Sequence, residues 1–114
     1  MKTQTNPIRR GLQGILHRRN GALSGSTYRI RGDVFRIGRD SVNDLVTDGP
    51  DCSIVSGQHL EIRQQGDSFV LKDLESTNGT FVDGRRVTEV TLQNHASIVL
   101  GPGGPEFQFE IDIN

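Results

Sequence analysis

The chain has 114 residues, 32% of them hydrophobic, which allows one domain with a modest core. Thirteen Lys and Arg against fourteen Asp and Glu give a net charge of −1, so bulk charge selects neither nucleic acid nor an acidic substrate. The lone Cys52 excludes an internal disulfide, and no apolar run reaches the roughly 18 residues needed to span a bilayer.

The first ten residues, MKTQTNPIRR, lack the apolar centre of a secretory leader and read as a flexible tail, with the domain over residues 11–114. A cytoplasmic, monomeric protein is expected. Period-two alternation dominates from there on, and no window sustains helical periodicity. Leu12 to Arg19 reads as a first strand, turned by Asn20-Gly21, and Ser26 to Arg31 puts Tyr28 and Ile30 on one face. Arg31-Gly32-Asp33 turns the chain into Val34 to Ile37, with Phe35 and Ile37 inward. A polar loop around Asp48-Gly49-Pro50-Asp51 leads to a short Ile54-Val55 segment, and Leu60 alternates with Ile62. Gln64 to Asp67 is a hairpin turn into Phe69 to Leu74; Phe81-Val82 runs into Asp83-Gly84, a strong two-residue hairpin signal. Thr88 to Leu92, Ser97 to Leu100 and Glu106 to Ile111 complete a series that predicts an antiparallel sandwich or barrel.

Charge is unevenly distributed along this series. Residues 1–39 hold nine basic side chains and one acid, Asp33, whereas the remainder holds four basic groups and thirteen acids. A nucleic-acid or membrane surface is one reading of such asymmetry. The simpler one is that interleaved strands bring the two populations together.

Three polar clusters fall where a strand hands over to a turn: Gly38-Arg39, Ser56-Gly57-Gln58-His59 and Ser76-Thr77-Asn78-Gly79-Thr80. An arginine, two hydroxyls and an amide on loops of a rigid scaffold suit a phosphate ester beside an extended peptide. Arg39 offers a planar fork of donors for phosphate oxygens, Ser56 and Thr77 offer hydroxyl or backbone donors, and Asn78 offers a donor and an acceptor for a peptide main chain. Each has a plainer reading: a surface ion pair of Arg39 with Asp40 or Asp44, a turn cap at Ser56, and an Asn-Gly turn at Asn78.

Taken together, FRIGRD (Phe35 to Asp40), VSGQH (Val55 to His59) and LKDLESTNGTFVDG (Leu71 to Gly84) resemble the forkhead-associated (FHA) domain, a phosphothreonine-peptide reader. The family pattern is Gly-Arg, then Ser-x-x-His, then Leu-x-Asp-x-x-Ser-x-Asn-Gly-Thr, and the resemblance covers about residues 11 to 113. It implies an all-β, two-sheet antiparallel sandwich of about eleven strands, with the binding loops at one end and both termini together. It also implies a phosphopeptide site of Arg39, Ser56, Gly57, Thr77 and Asn78, supported structurally by Gly38, His59 and Gly79. Arg39 and Ser56 would contact phosphate, Asn78 the ligand backbone, and His59 the frame of the Ser56 loop; Asp73 and Ser76 would brace the third loop.

The chain departs from the pattern twice. The residue after the serine commonly carries an Arg, Lys or Asn, and here it is Gly57, which removes a donor worth about 1.5–3 kcal/mol if the bond is charged. A Gly-Asp pair is usual before the penultimate strand, and here it is Asn94-His95, a turn expected to lie away from the site.

The function implied is a non-catalytic adaptor that docks phosphothreonine motifs in Ser/Thr-kinase signalling, its partner being a kinase or a kinase substrate. The alternative is an interaction module on the same fold that no longer needs phosphate. No nucleophile–base–acid set or phosphate-cradling Walker loop is visible, so an enzyme is not expected. Neither a cofactor nor a metal is expected, since His17, His59, His95 and Cys52 lack zinc-type spacing, and neither nucleic acid nor membrane is an expected partner. Arg31-Gly32-Asp33 reads as a turn rather than an adhesion motif, and Asn78-Gly79-Thr80 as part of the loop rather than a glycosylation acceptor.

Overall fold

The computed structural model describes residues 11–113; the tail expected over residues 1–10 lies outside the described residues. Eleven strands form two sheets, and among the described residues there is no α-helix. In chain order they are β1 (Leu12–Arg18), β2 (Thr27–Ile30), β3 (Val34–Gly38), β4 (Leu45–Val46), β5 (Leu60–Gln65), β6 (Ser68–Asp73), β7 (Thr80–Val82), β8 (Arg85–Val87), β9 (Glu89–Thr91), β10 (Ser97–Leu100) and β11 (Glu106–Ile113). One sheet runs β2-β1-β11-β10-β7-β8 and the other β4-β3-β5-β6-β9.

Alternation sets which face is buried. Leu16, Ile98, Leu100, Phe107 and Phe109 of the first sheet meet Phe35, Ile37, Leu60, Ile62, Phe69 and Leu71 of the second in one core. Phe69 and Phe109 bridge the layers edge to face at 5.3 Å, an arrangement worth about 0.5–1.5 kcal/mol beyond area burial. The turns obey their chemistry: Asp83 and Gly84, with φ of 50° and 84°, close the two-residue β7–β8 hairpin in which Val82 pairs Arg85. Leu12 pairs with Ile113, so the two ends of the described chain lie side by side.

Several local expectations need correction. The short Ile54-Val55 segment follows a 3₁₀ turn at Pro50–Cys52 and belongs to the loop before β5. Two strands, β4 and β8, carry no alternating apolar signal, being short edges with exposed Val46, Arg85 and Arg86. The β3–β4 pairing is parallel, Ile37 with Leu45 and Gly38 with Val46, within an otherwise antiparallel fold. Arg31-Gly32-Asp33 carries the chain from one sheet to the other rather than closing a hairpin.

The architecture gathers the loops after β1, β3, β4, β6 and β10 at one end. Asn20 of the β1–β2 loop donates to Gly104 O at 3.1 Å, Gly101 N to Gly79 O at 2.9 Å, and Arg39 N to Ser56 O at 3.0 Å. The Asn94-His95 turn sits at the other end, tied to β11 through Asn94 Oδ1, which accepts from Ile111 N at 2.8 Å.

Candidate functional site

β3 ends in close contact with the loop before β5. Thr47 N donates to Gly38 O at 2.8 Å and Asp40 N to Gly57 O at 3.0 Å, so Gly38 lies against Gly57. A Cβ on Gly38 would collide with the carbonyl of Gly57, and this approach is why glycine is needed there. The next residue, Arg39, is thereby thrown to the surface. Its Nε donates to Val55 O at 2.6 Å, which holds the planar fork by its inner edge. Among the described residues its terminal nitrogens make no hydrogen bond and it forms no ion pair. The anticipated alternative, pairing with Asp40 or Asp44, is not what the side chain does; Asp44 instead accepts from Arg36 N at 2.8 Å.

His59 organises the second loop. Ser56 N donates to Nδ1 at 3.1 Å, so Nδ1 is the acceptor and the proton resides on Nε2, which donates to Gly79 O at 2.9 Å. Burial lowers the His59 pKa, against opposing contributions from the Gly79 carbonyl and Asp73, and the ring is therefore a neutral strut between the second and third loops. Ser56 Oγ accepts from Thr77 N at 3.0 Å. Among the described residues the Ser56 hydroxyl has no acceptor for its own O–H, which leaves that donor available.

The third loop hangs from Asp73. Its carboxylate accepts from Ser76 Oγ at 2.6 Å, Thr80 Oγ1 at 2.7 Å and Ser76 N at 3.1 Å. Burial alone would raise its pKa, but these bonds prevail and hold the carboxyl below its ordinary value. Ser76 Oγ in turn accepts from Gly79 N at 3.0 Å, and Gly79 has a φ of 87°, a left-handed shape that favours glycine. Thr77 is left exposed at the tip, and Asn78 Nδ2 donates to Ile54 O at 2.9 Å.

Two consecutive carbonyls, those of Ile54 and Val55, thus orient Asn78 and Arg39 respectively. Nothing in the sequence reveals this, because main-chain acceptors carry no residue signature. A second unforeseen feature anchors the same dipeptide. Arg18, at the end of β1, has a side chain only 2% exposed; Nη2 reaches Asp51 Oδ2 at 3.1 Å and Nε donates to Asn20 Oδ1 at 3.3 Å. Its guanidinium lies 5.5 Å from the centre of the Phe107 ring. Asp51 belongs to the 3₁₀ turn that leads directly into Ile54 and Val55.

All the residues anticipated for the site therefore meet on three adjoining loops: Arg39, Ser56, Gly57, Thr77 and Asn78 at the surface, Gly38, His59 and Gly79 beneath them. The chemistry on offer is a cationic fork, hydroxyl donors and an amide, converging without a nucleophile–base pair. Among the described residues no group of three or more His, Cys, Asp or Glu is placed to hold a metal ion. Two surface clefts, of about 500 Å³ beside Asp73 and Arg86 and about 380 Å³ beside Tyr28 and Leu45, are lined by other residues than Arg39, Ser56, Thr77 and Asn78.

Comparison with known proteins agrees with this geometry. The family model for the FHA domain matches residues 35–101, more than half of the chain. FHA domain-containing protein FhaA of Mycobacterium tuberculosis is 44% identical over 78 residues, covering 68% of this chain and 14% of FhaA. The structure of Mycobacterium tuberculosis EmbR in complex with a low-affinity phosphopeptide superposes with a TM-score of 0.77 at 33% identity, over 90% of this chain and 25% of that one. The FhaA FHA domain complexed with the intracellular domain of Rv3910 gives a TM-score of 0.74 at 34% identity, over 85% of this chain and 99% of that one. The chain thus spans only 14% of FhaA and 22% of the curated EmbR proteins it matches.

Proposed function

The chain belongs to the FHA-domain family, and we propose that it is a non-catalytic module that docks phosphothreonine motifs on partner proteins. The observation that carries this reading is the free outer edge of the Arg39 fork beside the Ser56 hydroxyl. Both are held by hydrogen bonds on their inner sides and offer donors outward. A phosphate brings about −1.5 to −2 charges at neutral pH and three acceptor oxygens to meet them. Arg39, Ser56 and the Thr77 hydroxyl surround the ester, while Asn78, steadied through Nδ2, presents its amide to the ligand main chain. A methyl group in a small pocket adds about 0.8 kcal/mol, so a preference for threonine over serine needs conformational help as well.

The partner on this reading is a Ser/Thr kinase or one of its substrates, and the module acts as a monomeric adaptor in kinase signalling. A cytoplasmic setting is consistent with the unpaired Cys52, buried at 1% exposure. Among the described residues no helix is long and apolar enough to cross a membrane. The second reading, an interaction module that needs no phosphate, is favoured by one observation: Gly57 supplies no side-chain donor.

A degenerate peptide library in phosphothreonine and unmodified threonine forms, screened against the wild type and Arg39→Ala, separates the two. Selective capture that Arg39→Ala abolishes supports phosphate docking. Capture that is indifferent to phosphate and to Arg39 supports the second reading and removes the first.

A further inference from the structure

Position 57 sets the local charge of the site. A Cβ built on Gly57 would stand 2.7–2.9 Å from Oδ2, Oδ1 and Cγ of Asp40, so the Asp40 carboxylate lies over the Gly57 backbone, where a side chain would otherwise begin. The main chains of Asp40 and Gly57 are held together from several directions. Asp40 N donates to Gly57 O at 3.0 Å, and Asn43 Nδ2 donates both to Asp40 O at 2.9 Å and to Gly57 O at 2.7 Å. The residues on either side are Arg39 and Ser56, themselves joined by Arg39 N to Ser56 O at 3.0 Å. Among the described residues the exposed Asp40 carboxylate accepts no hydrogen bond and has no ion-pair partner, while the site's other acid, Asp73, accepts three hydrogen bonds. A carboxylate with no bonded partner among the described residues therefore stands beside Arg39 at the rim of the site proposed to receive a dianion.

A carboxylate in that position repels an incoming phosphate and attracts a cation. A ligand bearing a basic side chain beside its phosphorylated residue satisfies both groups at once: phosphate to Arg39 and Ser56, ammonium or guanidinium to Asp40. From this arrangement we infer that Asp40 is a specificity-determining residue that selects phosphothreonine peptides carrying a lysine or arginine next to the phosphothreonine. The inference rests on the phosphothreonine reading and adds to it the class of sequence preferred. It also assigns a meaning to Gly57: a lysine or arginine there would neutralise Asp40 internally and remove the demand on the ligand.

The test uses phosphothreonine peptides that differ only in having lysine or alanine at the flanking positions, titrated against the wild type, Asp40→Asn and Gly57→Lys. Gly57 is not among the positive-φ glycines, and the atoms its Cβ would meet are the movable end of an exposed side chain, so a lysine is accommodated. The wild type is expected to bind the lysine-flanked peptide about 3- to 5-fold tighter, the scale of an exposed ion pair, with the ratio shrinking at high salt. In Asp40→Asn and Gly57→Lys the ratio falls toward one because the attraction to the flanking lysine is lost, while relief of phosphate repulsion strengthens both peptides alike. An unchanged ratio in Asp40→Asn overturns the inference while leaving phosphate docking intact. Wild-type binding that ignores the phosphate and Arg39 overturns the parent reading, and this inference falls with it.

Discussion

His59 shows how a residue that looks chemical serves a structural purpose. Its Nδ1 must accept from Ser56 N and its Nε2 must donate to Gly79 O, and only the neutral ring does both. Because burial lowers its folded pKa below the ordinary 6.5, the unfolded chain binds the extra proton first as pH falls. Its stabilising contribution is thus complete above about pH 6.5 and is lost progressively as pH drops toward the lowered folded value. Urea unfolding of the ligand-free protein between pH 7.5 and 5 should show this slope, and His59→Gln should flatten it at a cost of about 2–4 kcal/mol at neutral pH. A wild-type slope identical to that of His59→Gln would mean the ring is not a neutral strut. Asp73 has the opposite chemistry but the same logic: its folded pKa is depressed, so its contribution persists until the pH falls below its ordinary 3.8.

Between elements, β1 and β3 hold loops they do not belong to. The Arg18–Asp51 pair is asymmetric, with side chains 2% and 46% exposed respectively. Removing Arg18 returns Asp51 to water, whereas removing Asp51 leaves a buried guanidinium with Asn20 Oδ1 and the Phe107 ring but no counter-charge. Asp51→Ala is therefore expected to destabilise by about 3 kcal/mol or more, and Arg18→Met by less. Equal losses in a denaturant comparison would show that burial of the charge is not what matters. At β3 the constraint is steric. Gly38→Ala drives a Cβ into the Gly57 carbonyl, and overpacking of this kind costs about 1–3 kcal/mol. Relief requires the Ser56-Gly57 turn to move off β3, so phosphopeptide affinity should fall at least about tenfold even in the folded fraction. Unaltered affinity would separate the strand end from the site.

The contrast between what the sequence discloses and what it hides follows from the same physics. Long strands with a buried face, such as β1, β5, β6 and β11, announce themselves through alternation that the core enforces. β4 and β8 are edges two and three residues long, with one neighbour and polar or exposed faces, so pairing rather than pattern makes them strands. At the site the side chains were legible because their types match the chemistry of a phosphate ester. The carbonyls of Ile54 and Val55 were not, nor was the carboxylate of Asp40 over Gly57, since neither depends on a spacing that can be read along the chain.

For the molecule as a whole, interleaving answers the uneven charge of the sequence. Basic residues of β1 and β3 meet acids drawn from later in the chain: Arg18 with Asp51 at 3.1 Å and Arg36 with Glu61 at 3.6 Å. Two Lys/Arg residues of the basic first third are thus paired with later acids, while the terminal nitrogens of Arg39 have no partner among the described residues, as the proposed phosphate contact requires. Calorimetric titration with one library-selected peptide, in phosphothreonine and unmodified threonine forms, tests that claim most directly. Tight binding of the phosphorylated form alone, weakened at least about tenfold by Arg39→Ala, is the predicted result. Equal affinity for the two forms, or phosphate-dependent binding that Arg39→Ala leaves untouched, would contradict it.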